Sequence, residues 1–142
     1  MERDKTLASW TSTKSFLVVE DVDSSRMLIS GLLRGVGATQ VITAIDGEDA
    51  VAKIEARGTP DIIFADWNMP KMDGITLLSV VKQLYPAARF VMITANAEAE
   101  HVRTAGALRA DGYIVKPFTR DVLIRTLEKL KAAEDRTKAS PG

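Results

Sequence analysis

Short apolar runs at 16–19, 41–44, 62–65, 90–93 and 113–115 alternate with longer stretches in which apolar side chains recur every three or four residues. Each run is apolar at successive positions, so both of its faces are expected to be buried, as in a parallel strand covered by helices on either side. The stretches between have the helical period. Residues 24–36 place Met27, Leu28, Leu32 and Val36 along one face, with Asp23 as the N-cap. Residues 47–57 offer Ala50, Val51 and Ile54, and Gly58 follows as a stop. A third helix over 76–84 ends before Pro86, which cannot continue it. Residues 98–108 are Ala-rich and weakly amphipathic, which makes this the helix with the least hold on a core. The fifth, over 119–131, follows the break at Pro117 and carries Val122, Leu123, Leu127 and Leu130. Five βα units in strict alternation predict an α/β domain built on a doubly wound parallel sheet.

The two ends fall outside this pattern. Residues 1–13 are polar apart from a stray Trp10, and 132–142 are charged, small and Pro/Gly-terminated. Neither has enough apolar surface to offset the entropy of ordering it. The expected organisation is an N-terminal tail over 1–13, one domain over 14–131 and a C-terminal tail over 132–142. A chain of 142 residues suits one domain. There is no cysteine, which removes thiol catalysis, disulfides and cysteine-ligated zinc together. Nineteen basic side chains balance nineteen acidic ones, which argues against a nucleic-acid partner. The first thirteen residues hold two acidic side chains and no apolar segment, unlike a signal peptide, and no apolar run approaches the ~20 residues of a membrane helix. A soluble cytoplasmic protein with no membrane partner is the expectation.

In an open parallel sheet, ligands bind beyond the carboxyl ends of the strands. The residues just past the runs are Glu20 and Asp21 after the first, Asp66 after the third, Thr94 after the fourth and Lys116 after the fifth. Three carboxylates that close together raise one another's pKa unless a cation sits among them. Oxygen ligands without His or Cys suit a hard cation, and a protein set that leaves room for waters suits Mg2+ over Ca2+. Mg2+ beside a carboxylate nucleophile neutralises the oxygens of a phosphoryl group in the transition state. A lysine can hold another phosphoryl oxygen as a point charge, and a threonine hydroxyl a third. That leaves Asp66, central in the sheet, as the nucleophile. Each residue alone has a simpler explanation, such as an acidic pair capping a helix or solvating a loop. Their joint occurrence at four expected strand ends is what points to a site.

At these residues the chain resembles a known family. The segments 16–21 (FLVVED), 64–70 (FADWNMP), 72–74 (MDG), 92–95 (MITA) and 112–118 (GYIVKPF) are similar to those of the response regulator receiver (CheY-like) family of two-component signalling. The likeness spans residues 14–131 and implies a flavodoxin-like (βα)5 fold with strand order 2-1-3-4-5, an order taken from the family. It further implies that Asp66 takes a phosphoryl group from a sensor histidine kinase or a histidine phosphotransfer protein. Glu20, Asp21, Asp66 and the backbone carbonyl of Asn68 would hold Mg2+. Lys116 would pair with Asp66 and then with phosphoryl oxygens. Thr94 would turn toward the phosphoryl group, with Ala95 small enough to leave the site open to small phosphodonors, and Tyr113 would swing inward behind Thr94. That movement would remodel the surface of the fourth predicted helix, fifth strand and fifth predicted helix, where a separate downstream target docks. The Lys116–Pro117 bond is expected to be cis. A monomer is expected, with that same surface available for a weak dimer. The segment at 66–70 leans, within the family, toward regulators of chemotaxis and motility.

Some positions depart from the family or carry weaker signals. Glu20 replaces the more frequent Asp, and its longer arm still ligates. Arg109 stands where the family often has Gly, at the end of the fourth predicted helix, and costs on the order of 1 kcal/mol if its φ is positive. Asn68 and Asn96 lie two residues beyond Asp66 and Thr94, and neither is a good general base at neutral pH, so slow or moderate self-hydrolysis is expected. His101, the single histidine, reads as a solvated surface residue of a charged helix. Lys129 and Lys131 complement the dipole at the end of the last helix. Two other functions compete. A haloacid-dehalogenase-type Mg2+ phosphohydrolase would have a second Asp two positions past its nucleophile, where this chain has Asn68. A receiver-like scaffold working without phosphorylation typically lacks one of the acidic residues, the Thr or the Lys, and all are retained here. A DNA-binding regulator would need a helix-turn-helix beyond the domain, and the residues after 131 are too few for one.

Overall fold

A computed structural model describes residues 2–95 and 98–139. Eleven elements follow one another as α1 (Glu2–Thr11), β1 (Ser15–Val19), α2 (Asp23–Gly35), β2 (Gln40–Ala44), α3 (Gly47–Arg57), β3 (Ile62–Asp66), α4 (Gly74–Leu84), β4 (Arg89–Thr94), α5 (Ala99–Ala107), β5 (Gly112–Val115) and α6 (Arg120–Ala139). The strands form one parallel sheet in the order β2-β1-β3-β4-β5. This is the flavodoxin-like doubly wound arrangement.

The alternation along each strand divides the core into two layers. Phe16, Val18, Ile62, Phe64, Val91, Ile93 and Ile114 face α2 and α6, meeting Ile29, Leu33, Leu123 and Leu127. Leu17, Val19, Ile63, Ala65, Phe90 and Met92 face α3 and α4, meeting Ala50, Ile54, Leu77, Leu78 and Val81. Both faces of the central strands are dry, which is why their sequences are continuous apolar runs. Asp46 and Asp73 cap α3 and α4, each carboxylate accepting from the N–H three residues on (Asp49 and Thr76).

The structure corrects three expectations. The apolar face of α2 is Ile29, Leu33 and Val36, with Leu32 partly covered, whereas Met27 and Leu28 are exposed. This helix has apolar residues on more than one side, and its packing selects the side. Asp23 is not the cap: Val22 holds the N-cap position without a side-chain bond, and Asp23 pairs with Arg26 within the helix.

The third correction concerns the regions near the ends, which are helical over Glu2–Thr11 and, in α6, as far as Ala139. In α1, Leu7 enters the core layer of α2 and α6, and Thr11 is fully buried with its hydroxyl donating to the Leu7 carbonyl. Trp10 packs on the same layer and donates from Nε1 to Glu134 of α6 at 3.1 Å, while Lys14 Nζ donates to the other oxygen of Glu134 at 2.9 Å. Each end thus supplies the surface the other lacks. Among the described residues no helix is long and apolar enough to cross a membrane.

Candidate phosphoryl-acceptor site

The last paired residues of β1 and β3 are Val19 and Ala65, so Glu20 and Asp66 are next-door neighbours at the carboxyl edge of the two central strands. This is the switch point of the sheet. The chain leaves β1 toward the face covered by α2 and leaves β3 toward the face covered by α4, and a crevice opens between. The backbone there is pinned on all sides. Glu20 N–H donates to the Ala44 carbonyl at 3.0 Å, Trp67 N–H to Ile93 at 2.9 Å, and Lys116 N–H to Thr94 at 2.7 Å. Gly74 N–H donates to the Trp67 carbonyl at 2.8 Å, and a Cβ on Gly74 would lie 2.3 Å from the Asp66 carbonyl oxygen. Only glycine lets α4 start this close behind the end of β3.

Glu20 is fully buried, Asp66 is nearly so, and Asp21 is exposed at the rim. One carboxylate oxygen from each lies within 4.8 Å of the others. Lys116 Nζ bridges the two inner carboxylates, donating to Glu20 Oε2 at 2.8 Å and Asp66 Oδ2 at 3.0 Å. The Asn68 N–H donates to Asp66 Oδ1 at 3.3 Å and Val22 N–H to Glu20 Oε1 at 3.2 Å. Burial pushes the Glu20 carboxyl up to about 7, with Asp66 adding to the rise and the Lys116 and Val22 donors opposing it. Burial works to lower the pKa of Lys116, but the bonds and charges of Glu20 and Asp66 outweigh it, and the net shift is upward. One ammonium among three carboxylates leaves the cluster short of positive charge. An oxygen-only donor set with an uncompensated buried carboxylate fits a hard divalent cation such as Mg2+.

Thr94 is buried at the end of β4, and a hydrogen bond joins its side chain to Tyr113 on β5. Burial raises the Tyr113 pKa and the Thr94 bond partly offsets this. Ala95 is exposed and lines a cavity of about 400 Å³ with Leu28, Lys116, Pro117 and Phe118. The Lys116–Pro117 peptide is cis. Asn96 lies outside the described residues. Arg109 has φ 67°, the left-handed conformation in which a Cβ is costly.

His101 lies at the surface as a half-buried side chain. Its ring packs on Trp67 with centroids 4.7 Å apart and planes tilted by 59°, and its Nδ1 lies 4.0 Å from Glu98. Nothing in the local sequence marks this contact, because it joins a strand end to a helix of another βα unit. The pairing of Glu134 with Trp10 and Lys14 escaped sequence reading for the same reason.

The fold and the strand-end cluster together define a receiver-type domain, a small α/β unit with an acidic pocket at the centre of its sheet. The family model for the response regulator receiver domain matches residues 16–128, and the chain belongs to that family. It is 37% identical over 116 residues to the chemotaxis protein CheY of Pseudomonas aeruginosa, covering 80% of this chain and 93% of that protein. Among solved structures, CheY4 of Vibrio cholerae superposes with a TM-score of 0.74 at 34% identity over 82% of this chain and 97% of that one. The CheY of a CheX–CheY–BeF3–Mg complex from Borrelia burgdorferi superposes with a TM-score of 0.78 at 31% identity, over 82% of this chain and 88% of that one.

Proposed function

We propose that this protein is a phosphorylation-operated response regulator in which Asp66 accepts a phosphoryl group from a phosphohistidine on a sensor kinase or a phosphotransfer protein. The observation that carries this reading is the bridge from Lys116 to both Glu20 and Asp66, which draws two carboxylates onto one ammonium beside Asp21, with the Asn68 N–H donating to Asp66 Oδ1. In the transfer, Oδ1 attacks phosphorus, the P–N bond to the donor imidazole breaks, and the leaving nitrogen keeps the electron pair. Lys116 holds an oxygen of the phosphoryl group as it arrives, and the Thr94 hydroxyl receives another by giving up its bond to Tyr113. Glu20, Asp21, Asp66 and the Asn68 carbonyl would hold Mg2+, which would supply charge neutralisation to the phosphoryl oxygens.

The release of Tyr113 from Thr94 changes the face made by α5, β5 and α6, and a separate target protein reads that change. The protein acts as a signalling switch in the cytoplasm, as a monomer with weak self-association through the same face. The named relatives are chemotaxis proteins, which favours control of motility as its setting. The test is incubation with acetyl phosphate and Mg2+, read by intact mass. The wild-type protein gains one phosphoryl group and Asp66→Asn gains none. In a Trp10→Phe background, Mg2+ and then beryllofluoride change the fluorescence of Trp67. An unchanged mass, or a fluorescence response identical in Asp66→Asn, defeats the proposal.

A further inference from the structure

The side chains of α5 are poorly anchored for a helix of the domain. Of those described, only Ala105 is buried, and Glu100, Val102, Arg103, Thr104 and Ala107 are exposed. The N-cap residue Glu98 makes no side-chain capping bond. The largest half-buried side chain on α5 is His101, and what covers it is the indole of Trp67. Trp67 follows the phosphoryl acceptor directly in sequence, and its backbone is held at both ends, N–H to Ile93 and carbonyl to Gly74. The peptide after it donates to Asp66 Oδ1. An oxygen that takes a phosphoryl group or a cation must share or surrender that bond, and the turn at 66–68 must adjust. With the Trp67 backbone fixed to β4 and α4, the adjustment reaches the indole ring, and the ring touches His101.

From this contact we infer that His101 is a positioning residue, coupling occupancy of the Asp66 site to the first half of α5 through Trp67, on a route separate from Thr94 and Tyr113. The two routes leave the site from different strands. Thr94 and Tyr113 act across β4 and β5, whereas Trp67 and His101 act from the end of β3 directly onto α5. The second route works through the shape and position of an aromatic ring, so phenylalanine can substitute for His101 and alanine cannot. The inference rests on Asp66 being the acceptor.

Hydrogen exchange of the α5 amides tests it, measured on the full chain with Mg2+, with and without beryllofluoride, beside intact mass after acetyl phosphate. In the wild type, beryllofluoride changes α5 exchange. His101→Ala speeds α5 exchange in the free protein by about two- to tenfold, the range of one aromatic contact, and removes most of the response to beryllofluoride. Phosphoryl gain at Asp66 persists in this variant, and His101→Phe restores the response. If both proteins gain the phosphoryl group and His101→Ala responds in α5 as the wild type does, the coupling is overturned while the acceptor reading stands. If His101→Phe fails like His101→Ala, ring packing is not the means and the proposal falls. If neither the wild type nor the variant gains mass, the acceptor reading fails and takes the coupling with it.

Discussion

Two short helices at the margins of this molecule are built to opposite standards. α1 and α5 have 10 and 9 residues. Yet α1 buries Leu7 and Thr11 and is tied to α6 through Trp10 and Glu134, whereas α5 has Ala105 and the ring contact of His101. The helix outside the family match is held more firmly than one inside it. Firm anchoring suits a part that closes the core, and loose anchoring suits a part that must move when the strand ends change. The contrast also ranks the effects of substitution.

The largest effect should come from Gly37, which ends α2 with φ 109° and whose added Cβ would lie 2.8 Å from both Cα and O of Ala8 in α1. Backbone cannot give way cheaply, so Gly37→Ala should lose about 3 kcal/mol of stability in urea titration, with faster exchange across α1. Leu7→Ala should cost about 2–3 kcal/mol, because Leu7 is 4% exposed within the core layer. A loss under about 0.5 kcal/mol in both variants would mean that α1 is the loose helix after all.

The acidic pocket allows a third test that touches neither helix. Glu20 has a folded-state pKa raised from 4.5 to about 7, so its contribution is fully present below 4.5 and is lost as pH rises through about 7. In Mg2+-free buffer, stability should fall across that window by on the order of 3 kcal/mol. Mg2+ should restore it, and Glu20→Gln should flatten the pH dependence. If α1 opens only with the whole domain and α5 opens locally, amides of α1 should follow this loss after correction for intrinsic exchange and amides of α5 should not. Parallel behaviour of the two helices would remove the distinction.

The same contrast explains what could be read from the sequence. The five strands were legible because burial on both faces leaves continuous apolar runs, and Glu20, Asp21, Asp66, Thr94 and Lys116 were legible because they stand directly past those runs. Their roles in phosphoryl transfer remain part of the proposal. α1 was illegible because its partner Glu134 lies 124 residues from Trp10. A helix that borrows its apolar cover from the far end of the chain carries no local sign of it. The face of α2 was illegible because Met27, Leu28, Ile29, Leu32, Leu33 and Val36 go more than halfway round, and only packing against β1 and β2 selects Ile29 and Leu33. The contact of His101 with Trp67 was illegible because the charged neighbours of His101 describe α5 and say nothing of Trp67.

A smaller effect of the opposite sign is expected within α5. A Cβ on Gly106 would meet nothing within 4 Å, in contrast with Gly37. Gly106→Ala should therefore gain about 0.5–1 kcal/mol from helix propensity alone. It should also slow the local opening of α5. A loss of stability would show that α5 packs against something at this point.

The smallest effect belongs to Arg109, and it isolates the backbone. The ends of α2 and α5 are closed by the same pair of bonds: Gly37 to Arg34 and Ala38 to Leu33 in one, Arg109 to Gly106 and Ala110 to Ala105 in the other. Both are Schellman closures, which place the residue after the cap at positive φ. Arg109→Gly removes a Cβ–carbonyl clash of roughly 1–2 kcal/mol but adds about 0.5–1 kcal/mol of unfolded-state entropy, for a net gain of about 0.5 kcal/mol. Gly37→Ala runs the same exchange in reverse and adds the collision with Ala8. The amount by which its loss exceeds the Arg109→Gly gain therefore measures how tightly α1 is seated. Equal and opposite values would mean that the two helix ends differ only in backbone strain, and that α1 yields to the new methyl group.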